Sequence, residues 1–337
     1  LGKKKRRPNP LGLDFNNLNF FYGIPHCHTI LSTGRGTPYE ALEYGKRQGL
    51  NFMIITDHNG YLYDNILDKE TVITKWRFLI RSIEKFNKKN EDFVAIPGFE
   101  TRSEPFGDLN ILNPKTYFTG IVNNINSLLL WLIADGSAIV SINHPHKSIE
   151  KLPISPYLNE YLKTIEVGNG SPPHKYSRHD KYYYNLLDKG FKLGAINSED
   201  NHRINFGESE NLTGLIANNL DTISIIDAFK KHRTYATESR TLKLYFTINS
   251  VFMGESIDRN SFDELNFYVY AEDSKRIINT IQIISNGGKV IHEICDINLK
   301  KIKYMYQLKL NKFNSWYIIK VFLDDKKEAL SSPIFIK

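Results

Sequence analysis

The segment FYGIPHCHT sets two histidines, His26 and His28, one residue apart. On a strand, side chains at i and i+2 share a face, so both imidazoles would project together while Cys27 points away. The same residue types recur at the ends of short apolar runs. Asp57 and His58 follow NFMIIT, Glu100 lies in AIPGFET, His144 and His146 in INHPH, Glu166 in IEVGNG, and Asp200 with His202 in INSEDNH. Each has an ordinary explanation by itself: a plain strand pair for His26 and His28, a turn cap for Asp57 and His58, a loop-bracing carboxylate for Glu166. Collected at successive strand ends, imidazoles and carboxylates suit zinc, manganese or iron. Two such ions sharing a carboxylate would clamp an in-line displacement.

The elements that must position these residues are legible as a βα succession from about 20 to 235. TPYEALEYGKRQGL reads as a helix with Thr37 as N-cap, Pro38 at the first position and Gly49 closing it. ITKWRFLIRSIEKFNKK and INSLLLWLIADG are further helices between apolar strands. The succession predicts an α/β fold whose parallel sheet closes into a barrel, with the polar residues on its C-terminal rim. Near residue 240 the pattern changes to short alternating strands such as TLKLYFTIN, ELNFYVYAE and SWYIIKVFL, with SNGG as a hairpin turn. These predict an appended antiparallel β-sandwich, its Tyr and Phe residues packing the core. The expected division is a basic arm over 1–19, the barrel over 20–240 and the sandwich over 241–337.

Composition narrows the function classes. The 337 residues are 41% hydrophobic and 24% charged, as in an ordinary globular chain. No apolar run approaches the roughly 18–20 residues of a membrane span. The net charge of +7 is partly concentrated in KKKRR at 3–7. Without interleaved aromatics this reads as a solvated arm, and no nucleic-acid partner is expected. Cys27 and Cys295 imply no disulfide framework. The chain opens on Leu1 rather than Met, which fits a trimmed start. A cytoplasmic location is expected, with an exported mature form as the alternative.

HCHT, STGRGTPYEA, GLNFMIITDHN, AIPGFET, INHPH, IEVGNG and GAINSEDNH, in this order over about 20–240, resemble the signature segments of the PHP (polymerase and histidinol phosphatase) family. The stretch from AFKKHRTYATESRTLKLYF onward resembles its carbaryl-hydrolase-like subgroup with a C-terminal β-sandwich. The resemblance implies a distorted (β/α)7 barrel with two or three divalent metal ions, zinc, manganese or iron. By motif position His26, His28, Glu100 and Asp200 would hold the first ion. Glu100 would bridge to a second, also bound by His144, and His58 and His202 would hold a third. A bridging hydroxide would be the nucleophile.

Two departures from the family pattern stand out. Thr33 occupies the place of an expected third-site ligand, and Asp108 replaces a histidine of the second site. Oxygen in place of nitrogen would tilt the second site toward manganese or magnesium. Asp57 and Arg203 are the candidate catalytic residues. Arg35 and Arg178 are weaker candidates for a phosphate clamp, and His174 and His179 are expected in an exposed loop. The expected activity is metal-dependent hydrolysis of a phosphomonoester or phosphodiester. The alternatives are ester, amide or carbamate hydrolysis on the same architecture, and a metal-stabilised binding protein.

Overall fold

The computed structural model describes residues 18–171 and 175–337. His174 and all but the last two residues of the expected basic arm lie outside them. The architecture is mixed α/β and rich in strands. One 16-stranded sheet carries most of the chain, with a four-stranded sheet and a small hairpin beside it.

In the N-terminal part, the strands Asn19–Ile24, Phe52–Ile55 and Val94–Thr101 pair in parallel, as do Ile139–Ile142, Leu162–Gly170 and Gly194–Ser198. The two parallel sets are joined by Leu109–Leu112, which runs antiparallel to both of its neighbours. The all-parallel sheet expected from the sequence is therefore corrected to a mixed one. The reason is local: only Arg102–Asp108 separate Thr101 from Leu109, enough for a reversal and too short for a crossover.

Leu212–Ala217 pairs antiparallel with Asn19–Ile24, and no main-chain ladder joins it to Gly194–Ser198 among the described residues. Side chains span that seam instead. Thr213 Oγ1 donates to the Asn197 carbonyl at 2.6 Å, and Asn211 Nδ2 to the Ser198 carbonyl at 2.6 Å. Beyond the strand ends the backbone makes a short parallel bridge between Cys27 and Asn201, with His28 N–H donating to the Asn201 carbonyl at 2.9 Å, but no continuous strand ladder closes the expected barrel among the described residues.

Helices form where the sequence supplies caps. Thr37 and Glu40 make a reciprocal capping box with Pro38 at the first position of Pro38–Arg47. Gly49 adopts φ +82°, the left-handed geometry that ends the helix. An apolar layer of Phe52, Ile54, Ile96, Leu112, Ile139, Ile196 and Leu215 packs against Ile225 and Phe229 of the helix Thr222–Lys230.

The C-terminal strands do form two facing layers. Leu244, Phe246, Phe267 and Val269 of the four-stranded sheet share a core with Ile281, Ile283, Ile319 and Val321. The second layer is not a separate sheet, because Glu328–Ser331 pairs with Thr234–Thr237 and continues the large one. Tyr245, Tyr268 and Tyr270 alternate with inward residues and are only half-buried. No helix among the described residues is long and apolar enough to cross a membrane.

Candidate metal centre

His26 and His28 follow the strand Asn19–Ile24 and are both fully buried. Cys27 faces the other way, its thiol 3.5 Å from the Ile54 carbonyl. The Nε2 atoms of His26 and His28 stand 3.1 Å apart. Asp200 Oδ1 is 3.2 Å from each of them. Glu100 Oε2 is 3.2 Å from His28 Nε2 and 3.5 Å from His26 Nε2. Ligand atoms about 2.0–2.1 Å from a tetrahedral ion stand about 3.3–3.4 Å from one another, so these separations match the edges of such a polyhedron.

Glu100 reaches in two directions. Its Oε2 is also 3.1 Å from His58 Nδ1, while its Oε1 is 3.3 Å from His144 Nε2 and accepts from Asn143 Nδ2 at 2.8 Å. His202 stacks on His28 with ring centroids 4.3 Å apart. Three groups of potential ligands result: His26, His28 and Asp200; His26, Glu100 and His144; and His28, His58 and His202.

The donor set fits a divalent cation by its own chemistry. His26 Nδ1 lies 2.7 Å from Glu166 Oε1, which places a proton on Nδ1 and leaves the Nε2 lone pair facing the cluster. Asp200 Oδ1 is buried and accepts no hydrogen bond of acceptable geometry. Lone pairs converging on one point require either a cation or extra protons.

The electrostatics express the same demand. Burial opposes charge on His26, yet Asp200, Glu166 and Glu100 outweigh it and raise its pKa well above the usual histidine value. On His144, burial is likewise overcome, chiefly by Glu100, and the pKa rises to about 9. Burial works against ionised Glu100 and Asp200, but His26 leads the groups that hold both below the usual carboxylate range.

Backbone geometry is unusual at two of these residues. His144 and Asp200 have φ of 22° and 50°, on the left-handed side that non-glycine residues seldom adopt. The conformations are held by hydrogen bonds: His144 N–H donates to Glu166 Oε2 at 2.6 Å, and Asp200 N–H to the His26 carbonyl at 3.2 Å.

The remaining expected residues separate into distinct places. Asp57 is buried and spent on its own turn, accepting from Thr29 N–H at 2.7 Å, Thr29 Oγ1 at 2.6 Å and Ser32 Oγ at 2.6 Å. Ser32 Oγ in turn lies 3.5 Å from His28 Nδ1. Asp108 is half-buried; burial and Glu100 raise its pKa while His144 and His58 oppose the rise, yet it supplies no atom to the three groups. Thr33 and Arg35 are exposed in the following turn. His146 is exposed and accepts from Ser148 N–H at 3.4 Å.

Arg203 is exposed on the wall of a cavity of about 470 Å³ whose lining includes Asp200 and His202. Arg178 does not face the centre; it is paired with Asp180, Glu238 and Glu328. His179 is half-buried rather than exposed, and its Nε2 has no hydrogen-bond partner among the described residues.

Glu166 has a larger part than its motif suggested. One carboxylate, from Leu162–Gly170, orients His26, accepts from the His144 backbone, and takes Ser198 Oγ at 2.6 Å and Asn169 Nδ2 at 2.9 Å. Asn143, which holds Glu100, carried no signal beyond its place beside His144.

No family model matches the chain, and no curated protein matches it. Among solved structures, the fold is similar to that of a two-domain protein from Bacteroides vulgatus described as containing a predicted PHP-like metal-dependent phosphoesterase. That likeness has a TM-score of 0.52 at 18% identity, over 95% of this chain and 94% of the other, so it extends over both parts of the molecule. An amidohydrolase from Chromobacterium violaceum, solved with bound sulfate and no metal, is more distant. Its TM-score is 0.37 at 12% identity, over 53% of this chain and 87% of that one. The resemblance read in the motifs is thus accompanied by a resemblance in fold.

Proposed function

We propose that the protein is a metal-dependent phosphoesterase acting on a phosphomonoester or phosphodiester. The observation that carries this reading is the convergence of His26, His28, Glu100 and Asp200 at tetrahedral-edge separations, with Glu100 turning its second oxygen toward His144. His26, His28, Glu100 and Asp200 would hold one divalent ion, and Glu100 with His144 a second, with Asp108 beside them. His58 and His202 would hold a third together with the face of His28 turned to them.

Bound divalent ions supply Lewis acidity and lower the pKa of water. The chain's own residues do the rest. Glu166 keeps the His26 proton on Nδ1 and fixes His144 through its backbone. Asp57 locks the turn that carries Thr29 and Ser32 and is a positioning residue here. Arg203, exposed on the cavity wall, is placed to bind an anionic group of the substrate by charge-assisted hydrogen bonds.

The test is phosphate release from a panel of phosphomonoesters and diesters, with protein stripped of metal and reloaded with manganese, zinc or iron. Release that requires metal and disappears in His28→Ala supports the reading. Stoichiometric metal with no release across the panel, and turnover of a carboxylic ester or carbamate instead, would replace it with the ester or amide hydrolase. Silence on every substrate class would leave the binding protein.

A further inference from the structure

The cavity beside the metal centre has a distinct chemistry. Among the described residues its walls include Lys175, Glu199, Asp200, Asn201, His202 and Arg203. At about 470 Å³ it is large enough for a small-molecule substrate. Most of the polar groups are already committed. Glu199 is buried and accepts from Gly207 N–H at 2.8 Å, Asn201 Nδ2 at 2.8 Å and Ser209 Oγ at 2.6 Å, which ties down the loop from 199 to 209. Asp200 and His202 belong to the metal centre.

That leaves Lys175 and Arg203, both exposed and neither paired by its side chain among the described residues. Their backbones are well placed. Lys175 stands at the turn where Tyr176–Arg178 folds back on the strand that carries Glu166. A Cβ on Gly170, at φ +108°, would lie 1.9 Å from the Lys175 carbonyl, so only glycine lets the turn close this tightly. Arg203 rides on the loop that Glu199 fixes.

We infer that the substrate carries a second anionic group, away from the reacting phosphorus, and that Lys175 and Arg203 grip it. The inference rests on the phosphoesterase reading for what happens at the metal centre, and it names the substrate class: small polar phosphoesters with a phosphate or carboxylate on the alcohol portion. An apolar alcohol would leave both cations unpaired. Hydrolysis needs no further reactant. Water oxygen bonds to phosphorus, the ester P–O bond breaks, and the departing alcohol takes up a proton.

Two paired measurements test this on the metal-loaded protein. In turnover, propane-1,3-diol bisphosphate is compared with 3-hydroxypropyl phosphate, and the ratio of their kcat/KM values is read. In binding, propane-1,3-diylbisphosphonate is compared with propylphosphonate, which the enzyme cannot hydrolyse, by titration calorimetry. The expected ratio is about tenfold or more in favour of the doubly anionic compound in both, shrinking with added salt. In Lys175→Ala/Arg203→Ala it falls to near one, and in Lys175→Arg it is retained.

A ratio near one in the wild type, or an unchanged ratio in the double variant, overturns the inference. A binding preference that collapses in the variant while neither ester is hydrolysed upholds the clamp and removes the phosphoesterase reading. The two failures are therefore distinguishable.

Discussion

Two clusters of charge sit side by side in this molecule, and they are built on opposite rules. Around Arg178, each carboxylate meets a cation. The guanidinium stands 2.9 Å from Asp180, 3.1 Å from Glu238 and 2.6 Å from Glu328, and Lys320 adds contacts of 2.8 Å to Asp180 and 2.9 Å to Glu328. These groups come from both parts of the chain, so the network ties the sandwich layer to the strand that follows Glu166. Around His28 the contacting atoms are carboxylate oxygens and ring nitrogens, and among the described residues Glu100 and Asp200 pair with histidines and with no lysine or arginine. A self-balanced cluster is a fastening. A cluster of unbalanced donors is a receptor for a cation.

The sharpest way to break this comparison is to remove one donor from each. Glu100→Gln keeps the shape of the residue but deletes a charge that contacts His26, His28, His58 and His144. Loss of an ion that supplies several kcal/mol of transition-state stabilisation predicts a fall in kcat/KM of about 10³-fold or more, with reduced metal content by elemental analysis. The folded state should persist. Arg178→Met should do the reverse. Weakening the pairing of three half-buried carboxylates, two of which keep Lys320, predicts about 2 kcal/mol lost in urea unfolding, with metal content unchanged. Equal effects of both variants on metal content would erase the distinction.

How far the sequence anticipated each cluster follows from how local it is. His26 with His28, and Asp200 with His202, are pairs two residues apart whose co-projection needs only a strand-like backbone. They were legible. The single carboxylate Glu100 and the histidines His58 and His144 were legible because each ends an apolar run. The ion-pair role of Arg178, a weak clamp candidate by sequence, is not legible because its partners Glu238 and Glu328 lie far along the chain, and no local pattern connects them. The strand Leu109–Leu112 escaped for another reason: four apolar and amide residues after a short loop look like loop continuation until their neighbours supply the ladder. The seam between Gly194–Ser198 and Leu212–Ala217 depends on Asn and Thr side chains, whose hydrogen-bonding choices sequence does not reveal.

A milder substitution sharpens the first cluster further. Glu166 contributes no atom to the three ligand groups but touches His26, the His144 backbone, Ser198 and Asn169. Partners of this kind are worth about 10–100-fold in metal affinity. Glu166→Gln should weaken metal binding by that factor in a competitive chelator titration while leaving the stoichiometry intact. A stoichiometric loss would instead make Glu166 a direct ligand.

A last effect, read only through pH, comes from a third arrangement, a buried imidazole with no charged partner of opposite sign among the described residues. His232 is 6% exposed, its Nδ1 is 3.5 Å from the Gly254 carbonyl, and its Nε2 has no hydrogen-bond partner among the described residues. Burial, with Lys163 adding to it, pushes its pKa down from 6.5 to about 3. The unfolded chain therefore takes up this proton below about 6.5, while the folded chain resists until about 3. More protons are bound unfolded across that window, so the contribution to stability is full above it and is lost as pH falls through it. His232→Asn removes the term. The melting temperature of the wild type should drop more steeply than that of the variant between pH 6.5 and 4, and the two curves should run parallel above pH 7. Parallel curves throughout would mean that His232 finds a partner when it is charged. In the first cluster burial is offset by carboxylates that keep histidines protonated or metal-bound; here, with lysines as the nearest charges, the same burial keeps the ring neutral.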